Sequence, residues 1–581
     1  MVTDTSAHPT FSAVRLWSRF RPRLSFPKLG LGAKVIAFLA LLPVAYMLST
    51  AITASRDVVY WDELETALAL VLKLNDGTTP GEFLGELFAL NNEHRMVTSR
   101  LLYAVSYWLT GTVNFSVISA IGNASLVALC VVLLVTATTA TRRLRLAVLL
   151  SALLFQKEHY ENFLWSGSSI DHFQVVLLAC LAIVGVARQT TSGLLVGALF
   201  ATLATFTLAH GILVWPVGAA MLLRSGGWRQ LMLWSACGVA VIGSFLMGFE
   251  VNQSHHFAQL SLRGIVEITS YWLSMLGAVP ALGNTFLAPM LGGALLVGLF
   301  TLARRGALRR ESIAFPLAVW AIAAAALIAA GRAVEAKGLI HSRYYVLSGV
   351  AWALVLFMAA ERFSHPRRPL RLLVAGLPFL AGFNLVANEV FAAKAESWQE
   401  CRDRAALRFK QHGVDGKGTF ALHPSPARAT ALLKRAEELG VYRMGPVCLS
   451  EPFVASATVS KRLAYFVDEM TVNERSAYIS GWAALPGEIS RRGETYIMLR
   501  SKDRTYMYEA VTVTRPDVAK ATGNPEWELA GFSFARRRDR LPTGEFQLGF
   551  LISNEGKEEY IMTAHRLRLE GAGEALLAKG N

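Results

Sequence analysis

Four short stretches of this chain concentrate side chains that can do chemistry. "VVYWDELE" sets Asp62 beside Glu63, and a carboxylate there can draw a proton from an attacking hydroxyl. The competing role for Asp62 is structural: capping a helix by accepting hydrogen bonds from its free backbone N–H groups. "NNEHRMVTSR" packs Glu93, His94, Arg95 and Arg100 into ten residues, with Glu93, Val97 and Arg100 at helical spacing on one face. Two guanidinium groups and a histidine suit a phosphate, which accepts charge-assisted hydrogen bonds. Arg100 also fits the bland role of a snorkelling anchor. "KEHYEN" and "SSIDHF" contribute Glu158, His159, Glu161, Asn162 and the pair Asp171–His172. "GRAVEAKGLIHSRYY" collects Arg332, Lys337, His341 and Arg343 just before Tyr344, cations that call for an anionic partner such as a lipid phosphate. His210, between two short apolar runs, either faces the same cavity or is a hydrogen-bonded turn residue.

None of these stretches carries the H-E-x-x-H spacing of a zinc helix. Scattered histidines and carboxylates leave a divalent metal possible, and no cofactor is assigned.

The elements that must position these residues are membrane helices. The 581-residue chain is 53% hydrophobic and 17% charged, where a soluble protein carries about a quarter charged residues. Its mean hydropathy is +0.39. Apolar runs predict a polytopic α-helical membrane protein with about eleven spans: 33–53, 115–138, 146–157, 173–187, 193–208, 211–223, 229–249, 286–303, 313–331, 344–361 and 370–391. Two of these, 146–157 and 211–223, are short for a hydrocarbon core of about 30 Å. Residues 1–32 are basic and Pro-rich, and no small-residue cleavage site marks a signal peptide.

The net charge of +15 is explained by where it sits. Arginine clusters at 142–145, 224–229, 304–310 and 362–371 all fall on the side of the N-terminus. By the positive-inside rule that side is the cytoplasm, with the C-terminus outside the inner membrane of a bacterium. The basic balance therefore reports topology and implies no nucleic-acid partner.

On this topology the chemistry-bearing stretches share the outer face. The first outer loop, 54–113, carries eight acids against four bases. Segments 62–74 and 95–110 read as helices lying on the membrane surface, with Tyr103, Tyr107 and Trp108 as aromatic anchors. Beyond the transmembrane domain, 33–391, a small helical exterior segment (392–455) includes "PARATALLKRAEELGVY", a helix ending at Gly440. Residues 456–572 alternate in short runs that predict a β-sandwich. Trp482 and Trp527 there could stack on sugars, but "YISGWAAL" reads as an inward-facing strand with Trp482 in its core. Cys130, Cys180 and Cys237 fall in apolar spans, while Cys401 and Cys448 are a disulfide candidate in the exterior part.

Over 33–391 the pattern resembles the integral-membrane glycosyltransferases of the GT-C class. A first span runs outward into a long acidic loop opening with Asp/Glu; a surface helix ending "YWLTG" follows, and then a span running into "TATRRLR". "NNEHR" and "ENFLW" are similar to blocks of a bacterial subgroup of that class. The resemblance implies that the donor is a polyprenyl-phosphate-linked sugar and the acceptor a glycan or lipid-linked glycan. It implies Asp62 as catalytic base, with Glu63 or Asp57 as substitutes. Arg95, Arg343, His94 and His341 would then stabilise the leaving phosphate. "WDELE" offers D-E-x-E where a D-x-D pair would suggest a metal. The rival expectation is a transporter or flippase for a lipid-linked glycan, although transporters place their polar groups near the membrane midplane.

Overall fold

A computed structural model describes residues 30–249, 261–333, 339–363, 371–416, 421–445, 457–473, 476–486, 494–502, 504–538, 541–554 and 557–569. The basic segment before residue 30, His255, His256, Lys337 and Cys448 lie outside the described residues. The chain forms two compact units, Met1–Trp398 with Arg435–Arg443, and Gln399–Lys434 with Met444–Asn581.

The first unit is helical. Among the described residues, eight helices are long and apolar enough to cross a membrane, which makes this a multi-pass membrane protein. Three of the expected spans are short helices instead: Ala140–Leu154, Thr191–Thr207 and Val214–Ser225 have 15, 17 and 12 residues. At about 1.5 Å per residue none reaches 30 Å alone.

The sequence reading also passed over a helix, Leu262–Ala281, whose first half carries Arg263 and Glu267 and so breaks the apolar run. It packs against Leu287–Arg304 through glycines. A Cβ on Gly277 would sit 1.8 Å from the Ala288 carbonyl oxygen, and one on Gly292 would sit 1.9 Å from that of Leu273. Small residues let two membrane helices approach this closely. Gly277→Val is expected to push the pair apart and cost on the order of 1–3 kcal/mol. Thermal unfolding in detergent checks this, and an unchanged midpoint would refute the close packing.

Polar groups collect at both ends of this unit. At one end Arg142 bridges Glu311 (2.6 Å) and Glu361 (2.9 Å), and Arg145 also pairs with Glu361. Three of the basic turns thus meet. Helix Ala314–Arg332 starts just after Glu311 and ends on Arg332, while Ser342–Phe363 starts beside Arg343 and contains Glu361 near its end. Eighteen helical residues rise about 27 Å, close to a hydrocarbon thickness, so the two arginines of the opposite end stand a membrane away.

The segment Arg435–Arg443 belongs to the first unit and pins its first loop. The Tyr442 hydroxyl accepts the Val59 N–H and donates to the Asp57 carbonyl, both at 3.1 Å. The preceding helix, Pro426–Glu438, stops before Gly440, which takes a left-handed φ of +71°.

The second unit contains two sheets. Strands β1 (Thr458–Val459), β9 (Lys557–Leu569), β8 (Gly544–Asn554), β4 (Glu494–Arg500) and β5 (Thr505–Glu509) form one in that order; β2 (Ala464–Val472), β3 (Ser476–Ala484), β7 (Gly531–Arg537) and β6 (Val511–Val513) form the other. "TYMYEAVTV", read as one run, is split at Ala510 between the sheets. Both sheets contribute to one apolar core, Ile479, Phe532 and Phe534 from one side, Ile497, Leu548 and Phe550 from the other. Strand β3 alternates buried and half-buried residues, and its inward set is Ala477, Ile479, Gly481 and Ala483. Trp482 therefore points away from the main core. It packs on the buried Trp527 with ring centres 5.6 Å apart, in a smaller cluster. Cys401 is half-buried in helix Ala392–His412.

Candidate functional site

The end of the first unit opposite the arginine–glutamate cluster holds a cavity of about 320 Å3. Of the residues singled out in the sequence, Asp62, Glu63, Glu93, His94, Asp171, His210, Arg343 and Tyr344 line it. Arg95, Glu158, His159, Glu161, Asn162 and His341 do not.

The two acids of "WDELE" have different surroundings. Glu63 is buried and accepts hydrogen bonds from the N–H groups of Tyr60 (2.9 Å) and Gly167 (2.6 Å) and from the Ser166 hydroxyl. It ties the first loop to the turn that opens the span Ser166–Ala187, which makes it a structural residue. Asp62 is half-buried and makes no side-chain hydrogen bond to the protein among the described residues, nor does it cap the adjoining helix. Trp61, just before the pair, takes a left-handed φ of +51°. An uncommitted carboxylate thus faces the cavity from a fixed turn.

"NNEHR" is a turn rather than a helix. Asn91 and His94 exchange backbone hydrogen bonds at 2.7 and 3.0 Å, Asn92 and Met96 are left-handed, and the helix starts only at Val97. The shared helical face expected for Glu93, Val97 and Arg100 does not form. Left-handed backbone at non-glycine residues costs on the order of 1–3 kcal/mol each and gathers at functional loops.

The turn divides its charges. Arg95 is buried, and its guanidinium donates to the carbonyls of Phe88, Phe245 (2.9 Å) and Met247. Arg100, also buried, donates to the carbonyls of Ala89 and Arg95. A buried guanidinium has five donors to satisfy, and backbone carbonyls take them here. Neither arginine faces the cavity, so the expected phosphate contact of Arg95 is not formed. Tyr103, expected as a surface anchor, is likewise buried; Trp108 is the exposed aromatic of that helix.

Glu93 and His94 turn the other way. Glu93 pairs with Arg332, a cavity residue that the sequence reading left upstream of its site. Burial pushes the Glu93 carboxyl up, but His94 and Arg332 outweigh it and hold the group below the usual carboxylate range. The Ala209 N–H donates to His94 Nδ1 at 3.1 Å, so the proton sits on Nε2, 3.5 Å from Glu93 Oε1. Burial keeps His94 below the ordinary histidine range, and it is neutral near pH 7.

The "KEHYEN" block lies behind the cavity wall and holds Arg343. Glu161 accepts the Arg343 N–H at 3.0 Å, and Asn162 Nδ2 donates to the Arg343 carbonyl at 3.0 Å. Ser168 fixes Asn162 in turn through a hydroxyl bond of 2.6 Å. Burial raises the Glu161 carboxyl, but its contacts with His341 and Arg343 bring it below the usual value. The exposed His341 sits 3.5 Å from Glu161, outside the cavity. Gripped on both backbone sides, Arg343 lays its guanidinium over Trp165 (5.7 Å) and Tyr344 (5.4 Å).

Glu158 and His159 are fully buried and away from the cavity. His159 contacts the Leu153 carbonyl, and burial brings it to about 4. Glu158 accepts from Gln156 at 3.0 Å, and burial pushes its carboxyl well above the carboxylate range. With the folded pKa raised, the stability this group contributes is full below its unfolded value of about 4.3 and is lost as pH rises through the folded value. Glu158→Gln is therefore expected to leave function intact and to flatten the fall of the unfolding temperature toward alkaline pH. An unchanged pH slope in the variant would count against it.

Asp171 is buried and accepts the Ser99 hydroxyl; His172 faces Tyr344 edge-on at 5.4 Å. Sequence reasoning missed Trp165 and left Arg332 unassigned. Trp165 was hidden because an aromatic in an apolar run looks like packing. Among the described residues no three His, Cys, Asp or Glu side chains converge as metal ligands. No protein-family model and no curated protein matches this chain.

Proposed function

We propose that this protein is an integral-membrane glycosyltransferase of the GT-C type, moving a sugar from a polyprenyl-phosphate donor to a glycan or lipid-linked acceptor. The observation that carries the reading is one cavity holding an uncommitted carboxylate, Asp62, and a guanidinium, Arg343, that makes no carboxylate ion pair among the described residues. A base and an anion site side by side are what glycosyl transfer from a lipid phosphate requires.

In this reading the acceptor hydroxyl gives its proton to Asp62 and its oxygen attacks the anomeric carbon. The bond from that carbon to the phosphate oxygen breaks, and polyprenyl phosphate leaves. Arg343 stabilises the charge that gathers on the leaving phosphate, while Arg332 stays balanced by Glu93. Glu161 and Asn162 are positioning residues for Arg343. The apolar part of the cavity wall, Leu208, Phe245, Phe249 and Leu327, suits the first isoprene units.

The finer architecture belongs to the same proposal. The N-terminus is cytoplasmic, the cavity opens on the outer face of a bacterial inner membrane, and the two C-terminal sheets form an exterior sandwich. The same cavity would serve a lipid-linked-glycan transporter, and the fate of the glycosyl bond separates the two. Proteoliposomes given a donor with labelled sugar and a pool of glycan acceptors should release free polyprenyl phosphate and carry the label on an acceptor. Movement of label across the bilayer with the donor intact would favour transport and refute transfer.

A further inference from the structure

Two side chains of the cavity wall are buried yet leave a polar atom unpartnered. Trp165 and His210 are each 4% exposed, and neither Trp165 Nε1 nor His210 Nε2 has a hydrogen-bond partner. Buried donors and acceptors are nearly always satisfied, so an orphan beside a cavity points to a ligand that completes it.

The Trp165 ring is held firmly. Tyr60 meets it edge-on at 5.4 Å, and the Arg343 guanidinium lies over it at 5.7 Å. Gly167 packs closely beside the indole nitrogen: a Cβ built there would come 3.3 Å from Nε1 and 3.1 Å from Glu63 Cγ, tighter than an ordinary contact. His210 sits on the short turn Ala209–Leu213 with its ring 6.0 Å from Trp320. Burial lowers it to about 3, so it presents a neutral imidazole.

A group that accepts from an indole N–H and exchanges a hydrogen bond with a neutral imidazole is a hydroxyl. Both residues line one cavity of about 320 Å3, and a hexose carries several hydroxyls on one small frame. Charge narrows the class. Asp62, Glu63, Glu93 and Asp171 line the cavity against Arg332 and Arg343, and the donor phosphate takes the second arginine. An acidic sugar would add a carboxylate with no further arginine or lysine to meet it among the described lining residues.

We propose that Trp165 Nε1 and His210 Nε2 bind hydroxyl groups of a neutral hexose, the glycosyl unit of the donor, and so set which sugar is accepted. This rests on the glycosyl-transfer reading of the cavity.

Equilibrium binding to the full chain in nanodiscs tests both layers separately. The probes are a short-chain polyprenyl phosphate, bare or carrying glucose, mannose, galactose or glucuronic acid. Wild type should bind one of the neutral hexosyl lipids about 10-fold tighter than the bare lipid. Trp165→Phe removes the N–H together with the five-membered ring of the indole. It should erase most of that gap. His210→Phe, which removes the other unpartnered atom, should do the same and leave bare-lipid affinity unchanged. The sugar site is overturned if the gap survives in both variants, if the glucuronyl lipid binds best, or if no sugar adds affinity. In each of these cases bare-lipid binding still supports the phosphate site. If no lipid binds at all, the transfer reading falls with it.

Discussion

Asp62→Asn should lower the turnover of donor by 100-fold to 10,000-fold while leaving the donor KM nearly unchanged. A positioned general base contributes about 10²–10⁴ to rate, and the amide keeps the size of the side chain while losing its basicity. Folding should be untouched, because Asp62 makes no side-chain hydrogen bond to the protein among the described residues. Glu63→Gln separates this account from one in which either acid serves. Glu63 holds Tyr60, Ser166 and Gly167, so its substitution should lower the unfolding temperature as well as the rate. Steady-state kinetics together with thermal unfolding of both variants make the check. Full turnover in Asp62→Asn would mean the base is elsewhere.

Arg343→Gln should cost about 10²–10³ in kcat, the typical loss when one charged donor to a developing anion is removed. Arg343→Lys should recover only part of it, since an ammonium lacks the planar fork that meets two phosphate oxygens. Arg95→Gln is the informative contrast. Its guanidinium serves the carbonyls of Phe88, Phe245 and Met247, so the substitution should appear as lost folded yield, with normal turnover in whatever folds. Kinetics per folded molecule, from active-site-independent quantification, distinguish the two. Equal kinetic losses at both positions would undo the assignment of Arg343 as the phosphate residue.

The sequence made the membrane character legible because hydropathy and arginine placement are one-dimensional signals. It also singled out residues that share the cavity, Asp62, Glu93, His94, Asp171, His210, Arg343 and Tyr344, from stretches far apart in the chain. What it could not separate was which charges face the cavity and which support it. Glu63 and Asp62 are neighbours of one type, and only the turn at Trp61 gives them opposite duties. Arg95 and Arg332 were exchanged for a similar reason. The helical spacing of "NNEHR" concealed a tight turn, closed by Asn91 and His94, that sends Arg95 toward backbone carbonyls and Glu93 toward Arg332.

The "KEHYEN" block was recognised as unusual for a membrane segment, but its carboxylate and amide act on the backbone of Arg343, a contact between residues about 180 apart in sequence. Trp165 carried no polar flag. The helix Leu262–Ala281 was missed because two charges near its start outweigh the glycines that let it pack.

The anomeric configuration of the transferred sugar tests the central claim most directly. With one base, one leaving phosphate and no intermediate, direct displacement inverts the attacked carbon. A donor of defined configuration, incubated with the reconstituted protein and acceptor, should give a product of opposite configuration by NMR. Retention would contradict the account, because it requires a nucleophilic carboxylate bonded to the sugar and not a base at Asp62.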